Sequence, residues 1–250
     1  MHGKKIITCL DVREGMLTKG VKFSDNKELG SPVEAAARYC EQGIDEIVLY
    51  DFSASHEGRG TKMDTVESVS NVTHVTFAVG GGVKSLDDCR TLFAAGADKV
   101  HINTAAVRDP KLLSAAVQEF GSGKIVLSMD VLSLSENKNF ELCLGMGRER
   151  TGMDAVEWAK RGEAFGVCEI VVNSIDADGT RDGFHIPATR AIAQAVKIPV
   201  VASGGGGTIQ HIYDILTEGC ATVALVASML HFGTFTVQEI RDGLAALGLK

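Results

Sequence analysis

The sequence predicts a (β/α)₈ barrel, an α/β TIM barrel with half-barrel internal duplication, forming a single domain over residues 1–250. Three observations predict it. Short β-rich apolar runs alternate with amphipathic, Ala-rich runs along the whole chain. They make eight β-then-α units in 250 residues, the usual size of one such barrel. The strand runs, among them Ile47-Val48-Leu49-Tyr50 and Val200-Val201-Ala202-Ser203, are nearly continuous in apolar residues. Strands of a parallel sheet, buried on both faces, read that way. A doubly wound open sheet is the structural rival.

Taken in order, the strand candidates begin near Ile6, Ile47, Val75, Val100, Ile125, Ile170, Val200 and Val223. Helix candidates between them include Pro32–Gln42, Ser85–Ala95, Pro110–Phe120, Asp154–Phe165 and Thr208–Thr217. The gaps between strand starts are 41, 28, 25, 25, 45, 30 and 23, so the first three resemble the last three. Each half carries a long segment after its first strand, Asp11–Gly30 and Asp130–Thr151. Residue types repeat with the spacing. Asp11 and Asp130, which close strands one and five, are 119 apart. Gly82 and Gly205, in the glycine clusters after strands three and seven, are 123 apart, as are Gly96 and Gly219.

Composition excludes several classes. With 45% hydrophobic and 23% charged residues the chain supports a packed core rather than disorder. The net charge of −7 argues against sequence-independent nucleic-acid binding, which needs a basic face. The longest mainly apolar run, Ala221–Phe232, has 12 residues, too few to span a bilayer. The run from Ile6 is ended by Asp11 too early for a signal peptide. Six scattered cysteines without a CxxC pattern disfavour both a disulfide framework and a zinc site, and predict a reducing, cytoplasmic setting.

Barrel enzymes carry their chemistry at the C-terminal ends of the strands. The aspartates there are Asp11, Asp51, Asp130, Asp176 and Asp178, and Lys19 lies in the first long loop. Glycine clusters let backbone N–H groups approach an anion. Gly204, Gly205, Ala227 and Ser228 occupy the usual phosphate position after strands seven and eight. The repeat predicts an opposed second site at Gly81, Gly82, Asn103 and Thr104. Two opposed anion sites imply a substrate with a phosphate at each end. Asp11 and Asp130 would face each other between them and could divide acid and base work. A lone strand-end aspartate is as readily a helix cap, and the glycines could merely form tight turns. No histidine stands beside the aspartates in sequence, so no metal or other cofactor is expected. His56, in a polar loop after strand two, reads equally as a substrate contact or as solvated, and His101 within strand four reads as packed or hydrogen-bonded.

Several motifs together resemble the cyclase subunit of imidazole glycerol phosphate synthase. They include Cys9-Leu10-Asp11-Val12, Lys19-Gly20-Val21, Asp51 with Ala54-Ser55-His56-Glu57-Gly58-Arg59, and Val79-Gly80-Gly81-Gly82. Ile102-Asn103-Thr104-Ala105, Asp178-Gly179-Thr180, Ala202-Ser203-Gly204-Gly205 and Ala227-Ser228 extend the likeness, which runs from residue 4 to about 240. The resemblance implies a lyase and cyclase step of histidine biosynthesis. The substrate would be the bisphosphorylated phosphoribulosyl-formimino-aminoimidazole-carboxamide ribonucleotide. A glutaminase partner would supply ammonia through the barrel. It implies Asp11 and Asp130 as the catalytic pair. Lys19, Asp51, Gly81, Gly82, Asn103, Thr104, Asp178, Gly179, Ser203, Gly204, Gly205, Ala227 and Ser228 would bind substrate and phosphate. Lys5, Glu46, Lys99 and Glu169 would form an ammonia gate at the opposite face. The chain departs from the family pattern at Lys5, at Val131-Leu132-Ser133, at Leu142–Met146, at Asn173 and at His185. Rival readings are the sister isomerase of the same pathway, a paralogue aminating another sugar phosphate, and a catalytically weak subunit that mainly binds the glutaminase.

Overall fold

Each half of the chain opens with a long strand that folds back on itself before the first helix. The computed structural model describes residues 3–21, 24–51, 61–135, 139–145 and 147–249. Strand β1 (Lys5–Arg13) leads into antiparallel β2 (Met16–Val21) and β3 (Ser24–Gly30), then helix α1 (Pro32–Glu41). Strands β4 (Glu46–Asp51), β5 (Thr76–Gly80) and β6 (Lys99–Ile102) alternate with α2 (Met63–Ser70), α3 (Leu86–Ala94), the short α4 (Thr104–Arg108) and α5 (Lys111–Phe120). The second half repeats this order with β7 (Ile125–Ser135), antiparallel β8 (Asn139–Leu144) and β9 (Glu149–Asp154), and α6 (Ala155–Phe165). It ends with β10 (Glu169–Ser174), α7 (Ile186–Ala195), β11 (Val200–Ser203), α8 (Ile209–Thr217), β12 (Val223–Leu225), the short α9 (Ser228–His231) and α10 (Val237–Ala246).

Eight of these strands pair in parallel in the order β1, β4, β5, β6, β7, β10, β11, β12. The ladder of β12 onto β1, with Lys5 opposite Val223 and Ile7 opposite Leu225, closes the ring. This is the expected (β/α)₈ barrel. Side chains alternate along each strand. Ile7, Cys9, Val48, Ala78, Val126, Val171, Val201, Val223 and Leu225 form one cluster that fills the barrel. Their neighbours, including Ile6, Leu10, Ile47, Leu49, Phe77 and Val79, join the larger cluster packed against the helices. Helix starts follow the residues with short polar side chains. Ser31, Ser85, Asp154, Thr208 and Thr236 each accept a hydrogen bond from a backbone N–H of the first turn.

The structure corrects the strand ends. Asp11 and Asp130 do not close their strands, because β1 runs on to Arg13 and β7 to Ser135. The extra residues pair with returning strands, Val12 with Leu17 and Val131 with Leu142. Glu14 and Gly15 make the first reversal at φ 54° and 89°, as a tight hairpin of this kind requires. In the second arm Phe140, Leu142, Cys143 and Leu144 are buried, so the atypical Leu142–Leu144 run is the packed part of a strand. Glu141 is held by Arg150 and by the Gly152 N–H.

The departure at His185 also has a local reason. It is the N-cap of α7, and its Nδ1 accepts the Ala188 N–H at 3.2 Å. An imidazole here does the work of a capping carboxylate, provided it is neutral. Burial lowers its pKa, against the pull of Asp176. We therefore expect His185→Ala to lower unfolding free energy by about 1 kcal/mol at pH 8, the usual cost of a lost cap. His185→Asp should restore it. Urea unfolding of the three proteins checks this, and an unchanged midpoint in the Ala variant would show that the cap contributes nothing.

Candidate active site

At the C-terminal end of the barrel strands lies a cavity of about 680 Å³. Asp11, Lys19, Asp51, Gly81, Gly82, Asn103, Thr104, Asp130, Asp178 and Ser203 line it. A smaller recess is lined by Gly179, Gly204, Gly205, Ala227 and Ser228, and shares Cys9, Lys19, Asp178 and Ser203 with the cavity. The fifteen residues expected to act on or bind substrate thus border two adjoining hollows, and Asp176, also named at a strand end, lines neither. Lys84 and Arg108 add positive charge at the Gly82 end, and Arg181 does so at the Gly205 end.

Backbone shape at both ends depends on glycine. Gly81 and Gly82 have φ of 93° and 72°, and Gly204 and Gly205 have 94° and 98°. A Cβ on Gly81 would lie 2.6 Å from the Asp51 carbonyl oxygen, and one on Gly205 would lie 2.0 Å from that of Gly183. No L side chain fits there without moving the backbone. Asp51 has a supporting task as well: its carboxylate accepts the Lys62 N–H at 3.1 Å, at the start of α2. Asp176 similarly accepts the Ser133 N–H and ties the β7 arm to the loop after β10. The Asn103 amide oxygen is buried and has no hydrogen-bond partner among the described residues.

The two central aspartates are both buried but differ in company. Asp11 is in contact with the Lys19 ammonium at 2.6 Å. Burial opposes the Lys19 charge, but Asp11, together with nearby Cys9 and Asp178, holds the lysine above its ordinary pKa. Asp130 instead meets the Asn173 amide, Nδ2 to Oδ1 at 3.3 Å. The same Nδ2 donates to Ser128 Oγ at 3.2 Å. Deeper in the barrel the Tyr50 hydroxyl meets His101 Nδ1 at 2.8 Å. Burial, with Lys99 below, lowers His101 to about 3, so the ring is uncharged. His231 accepts the Tyr39 hydroxyl at 2.7 Å on Nδ1 and donates from Nε2 to the Cys9 carbonyl at 3.0 Å. Burial lowers it to about 4.

At the other end of the barrel Lys99 bridges Glu46 at 2.7 Å and Glu169 at 2.9 Å. Two carboxylates share one ammonium. Burial opposes the Lys99 charge, but Glu169 and Glu46 together raise its pKa. Burial pushes the Glu46 carboxyl up despite the lysine. Lys5 stands at the same end but is exposed, and among the described residues it makes no ion pair, so the structure joins three of the four expected residues. His56 and its loop lie outside the described residues.

A family model described as "Histidine biosynthesis protein" matches residues 5–236. The chain belongs to that family. It is 50% identical to imidazole glycerol phosphate synthase subunit HisF of Oleidesulfovibrio alaskensis, covering 100% of this chain and 98% of the relative. The HisF subunits of Nitratidesulfovibrio vulgaris and Desulforapulum autotrophicum are 48% and 47% identical over the same shares. Among the described residues of this family member, no helix is long and apolar enough to cross a membrane.

Sequence reasoning missed Tyr50 and Ser128 as cavity residues, named Asn173 only as a departure from the family pattern, and placed His101 only as packed or bonded. The available signal was alternation. Ser128 is two residues before Asp130 on β7, and Asn173 is the register partner of Asp130 on β10.

The buried imidazoles predict a pH effect on stability. An unfolded histidine titrates near 6.5, while folded His231 titrates near 4. Its contribution is therefore complete above pH 6.5 and is lost as pH falls toward 4. His231→Asn should be less stable than wild type at pH 8, and the difference should shrink between pH 6.5 and 4.5. Denaturant unfolding across that range measures it. A pH-independent difference contradicts the assignment of a neutral buried ring.

Proposed function

We propose that the chain is the cyclase subunit of imidazole glycerol phosphate synthase. It converts phosphoribulosyl-formimino-aminoimidazole-carboxamide ribonucleotide and ammonia into imidazole glycerol phosphate and aminoimidazole-carboxamide ribonucleotide. The observation that carries this reading is geometric: two buried carboxylates line one hollow between two glycine-rich ends. A substrate with a phosphate at each end fits that pattern. The cationic Lys84, Arg108 and Arg181 at the ends support it. Near 50% identity to HisF subunits over the full chain supports the specific reaction.

One phosphate lies against Gly81, Gly82, Asn103 and Thr104, the other against Gly179, Gly204, Gly205, Ala227 and Ser228. Backbone N–H groups and hydroxyls hold them. Asp51, Asp178 and Ser203 complete the substrate contacts. Lys19 neutralises charge beside Asp11. Ammonia attacks the ribulosyl carbonyl and loses water to give an imine. One aspartate of the Asp11–Asp130 pair donates a proton as the C–N bond breaks and the imidazole closes, and the other accepts one. A glutaminase subunit supplies the ammonia at the opposite barrel face, past Lys99, Glu46 and Glu169, with Lys5 at the rim. The enzyme works in the cytoplasm, a setting in keeping with six free cysteines.

Three outcomes test this reading. Crystals soaked in phosphate should show an anion at both glycine-rich ends, and density at neither end would remove the bisphosphate argument. Asp11→Asn and Asp130→Asn should each lower ammonia-dependent turnover by about 10²-fold or more, with far smaller changes in substrate affinity. Near-normal turnover in either variant takes that residue out of the mechanism. Lys99→Leu should spare turnover with ammonium salt but weaken turnover with glutamine and the partner, because delivery is damaged rather than chemistry. Equal loss in both assays would make Lys99 a structural residue.

A further inference from the structure

Asp130 does not sit alone in the wall of the cavity. Its partner across the β7–β10 ladder is Asn173. The Asn173 amide nitrogen has two hydrogens, and two acceptors lie within reach, Asp130 Oδ1 at 3.3 Å and Ser128 Oγ at 3.2 Å. A carboxylate offers only lone pairs, which turns the nitrogen rather than the oxygen of the amide toward it. Ser128 is 3% exposed, and its hydroxyl stands beside that of Tyr50, to which it can donate. The Tyr50 hydroxyl meets His101 Nδ1 at 2.8 Å. His101 is 3% exposed, and its Nε2 has no partner among the described residues. The hydrogens can therefore run in one direction: from the Asn173 amide to Ser128, from Ser128 to Tyr50, and from Tyr50 to an uncharged imidazole.

We propose that Asn173 is a positioning residue for Asp130, and that Ser128, Tyr50 and His101 form the buried hydrogen-bonded chain that holds its amide in place. This rests on the reading that Asp130 transfers a proton in turnover. The amide fixes one carboxylate oxygen and leaves Asp130 unable to turn away from the cavity. It also donates to the charged form in preference to the neutral one. Asp11 has no such amide; its register partner is Tyr50, and a lysine ammonium contacts it instead. The two aspartates, related by the internal repeat, are thus placed in different hydrogen-bonding environments. Threonine, the residue expected here from the family resemblance, has one hydroxyl hydrogen and can serve only one of the two acceptors at a time.

Among the described residues, the other ionisable groups near Asp130 include Tyr50 on β4, His101 on the adjacent β6, Cys143 opposite it on β8, Asp11 with Lys19, Glu149, Asp176 and Asp178. Burial pushes the Cys143 thiol and the Tyr50 hydroxyl up, so neither competes as a charge at neutral pH. The titration step that belongs to Asp130 is the one that disappears in Asp130→Asn.

The test compares Asn173→Leu, Asn173→Thr and Tyr50→Phe by the pH profile of ammonia-dependent kcat. Asn173→Leu should lower kcat about tenfold with KM within about twofold, and move the Asp130 step up by roughly one pH unit. Asn173→Thr should keep that step near its wild-type place, because a hydroxyl donor remains. Tyr50→Phe should move it in the same direction by less, and should add nothing in the Asn173→Leu background. A loss in Asn173→Leu that is equal at every pH, or additive effects in the double variant, overturns the proposal. The carboxyl carbon of Asp130, followed by ¹³C NMR in the same variants, reports the same shifts without substrate. A wild-type chain that shows no turnover therefore defeats the functional reading while the NMR titration still decides this one.

Discussion

Closure of the eight-stranded parallel ring is the constraint on which the site depends. Once β12 pairs with β1 and β7 with β10, alternate side chains of every strand must point into one narrow lumen. On β1 that face carries Ile7, Cys9 and Asp11, and on β7 it carries Val126, Ser128 and Asp130. The lower positions are apolar and pack against each other, so the carboxylates are held above a filled core rather than over a water-filled pore. A slip of one residue in either ladder would turn Asp11 or Asp130 outward into the helix layer, where an unpaired carboxylate is strongly disfavoured.

The internal repeat explains why one ring can supply two glycine-rich ends and two carboxylates. Each half contributes an aspartate on its first strand, an antiparallel arm beyond it, and a glycine cluster on its third strand. The halves then diverge in what they place around the aspartate. The first half brings a lysine from its arm to Asp11, and the second brings an amide from the neighbouring strand to Asp130. The opposite barrel end is set by charge rather than by backbone. Lys99 is shared by two buried glutamates, and removing it would leave like charges facing each other in a poorly solvated ring.

Much of this was legible before any coordinates. The continuous apolar runs mark all eight barrel strands, because parallel strands buried on both faces leave little room for polar residues. Helix starts at Pro32 and Asp154 follow from capping and amphipathic patterning, and the glycine clusters follow from their 123-residue offset. The antiparallel arms were visible only as excess length, since β2, β3 and β9 are short and polar and lack a strand-like apolar face. The true end of β7, by contrast, was legible in the alternating Val131-Leu132-Ser133-Leu134-Ser135. The contacts of Asn173, Tyr50 and His101 depend on register across the ring, which one strand read alone does not contain. His185 looked like a change in the site, and only the geometry of α7 identifies it as a cap.

The central claim is that this chain performs the ring-closing chemistry itself, with ammonia as its nitrogen source. The most direct measurement is turnover of the bisphosphate substrate by the isolated chain in ammonium salt, without any partner subunit. The account predicts formation of imidazole glycerol phosphate and aminoimidazole-carboxamide ribonucleotide in equal amounts, at a rate that rises with pH as more of the ammonium is present as free ammonia. Absence of both products, in a chain that still binds the substrate and stimulates a glutaminase, would contradict it and leave only the partner-binding role.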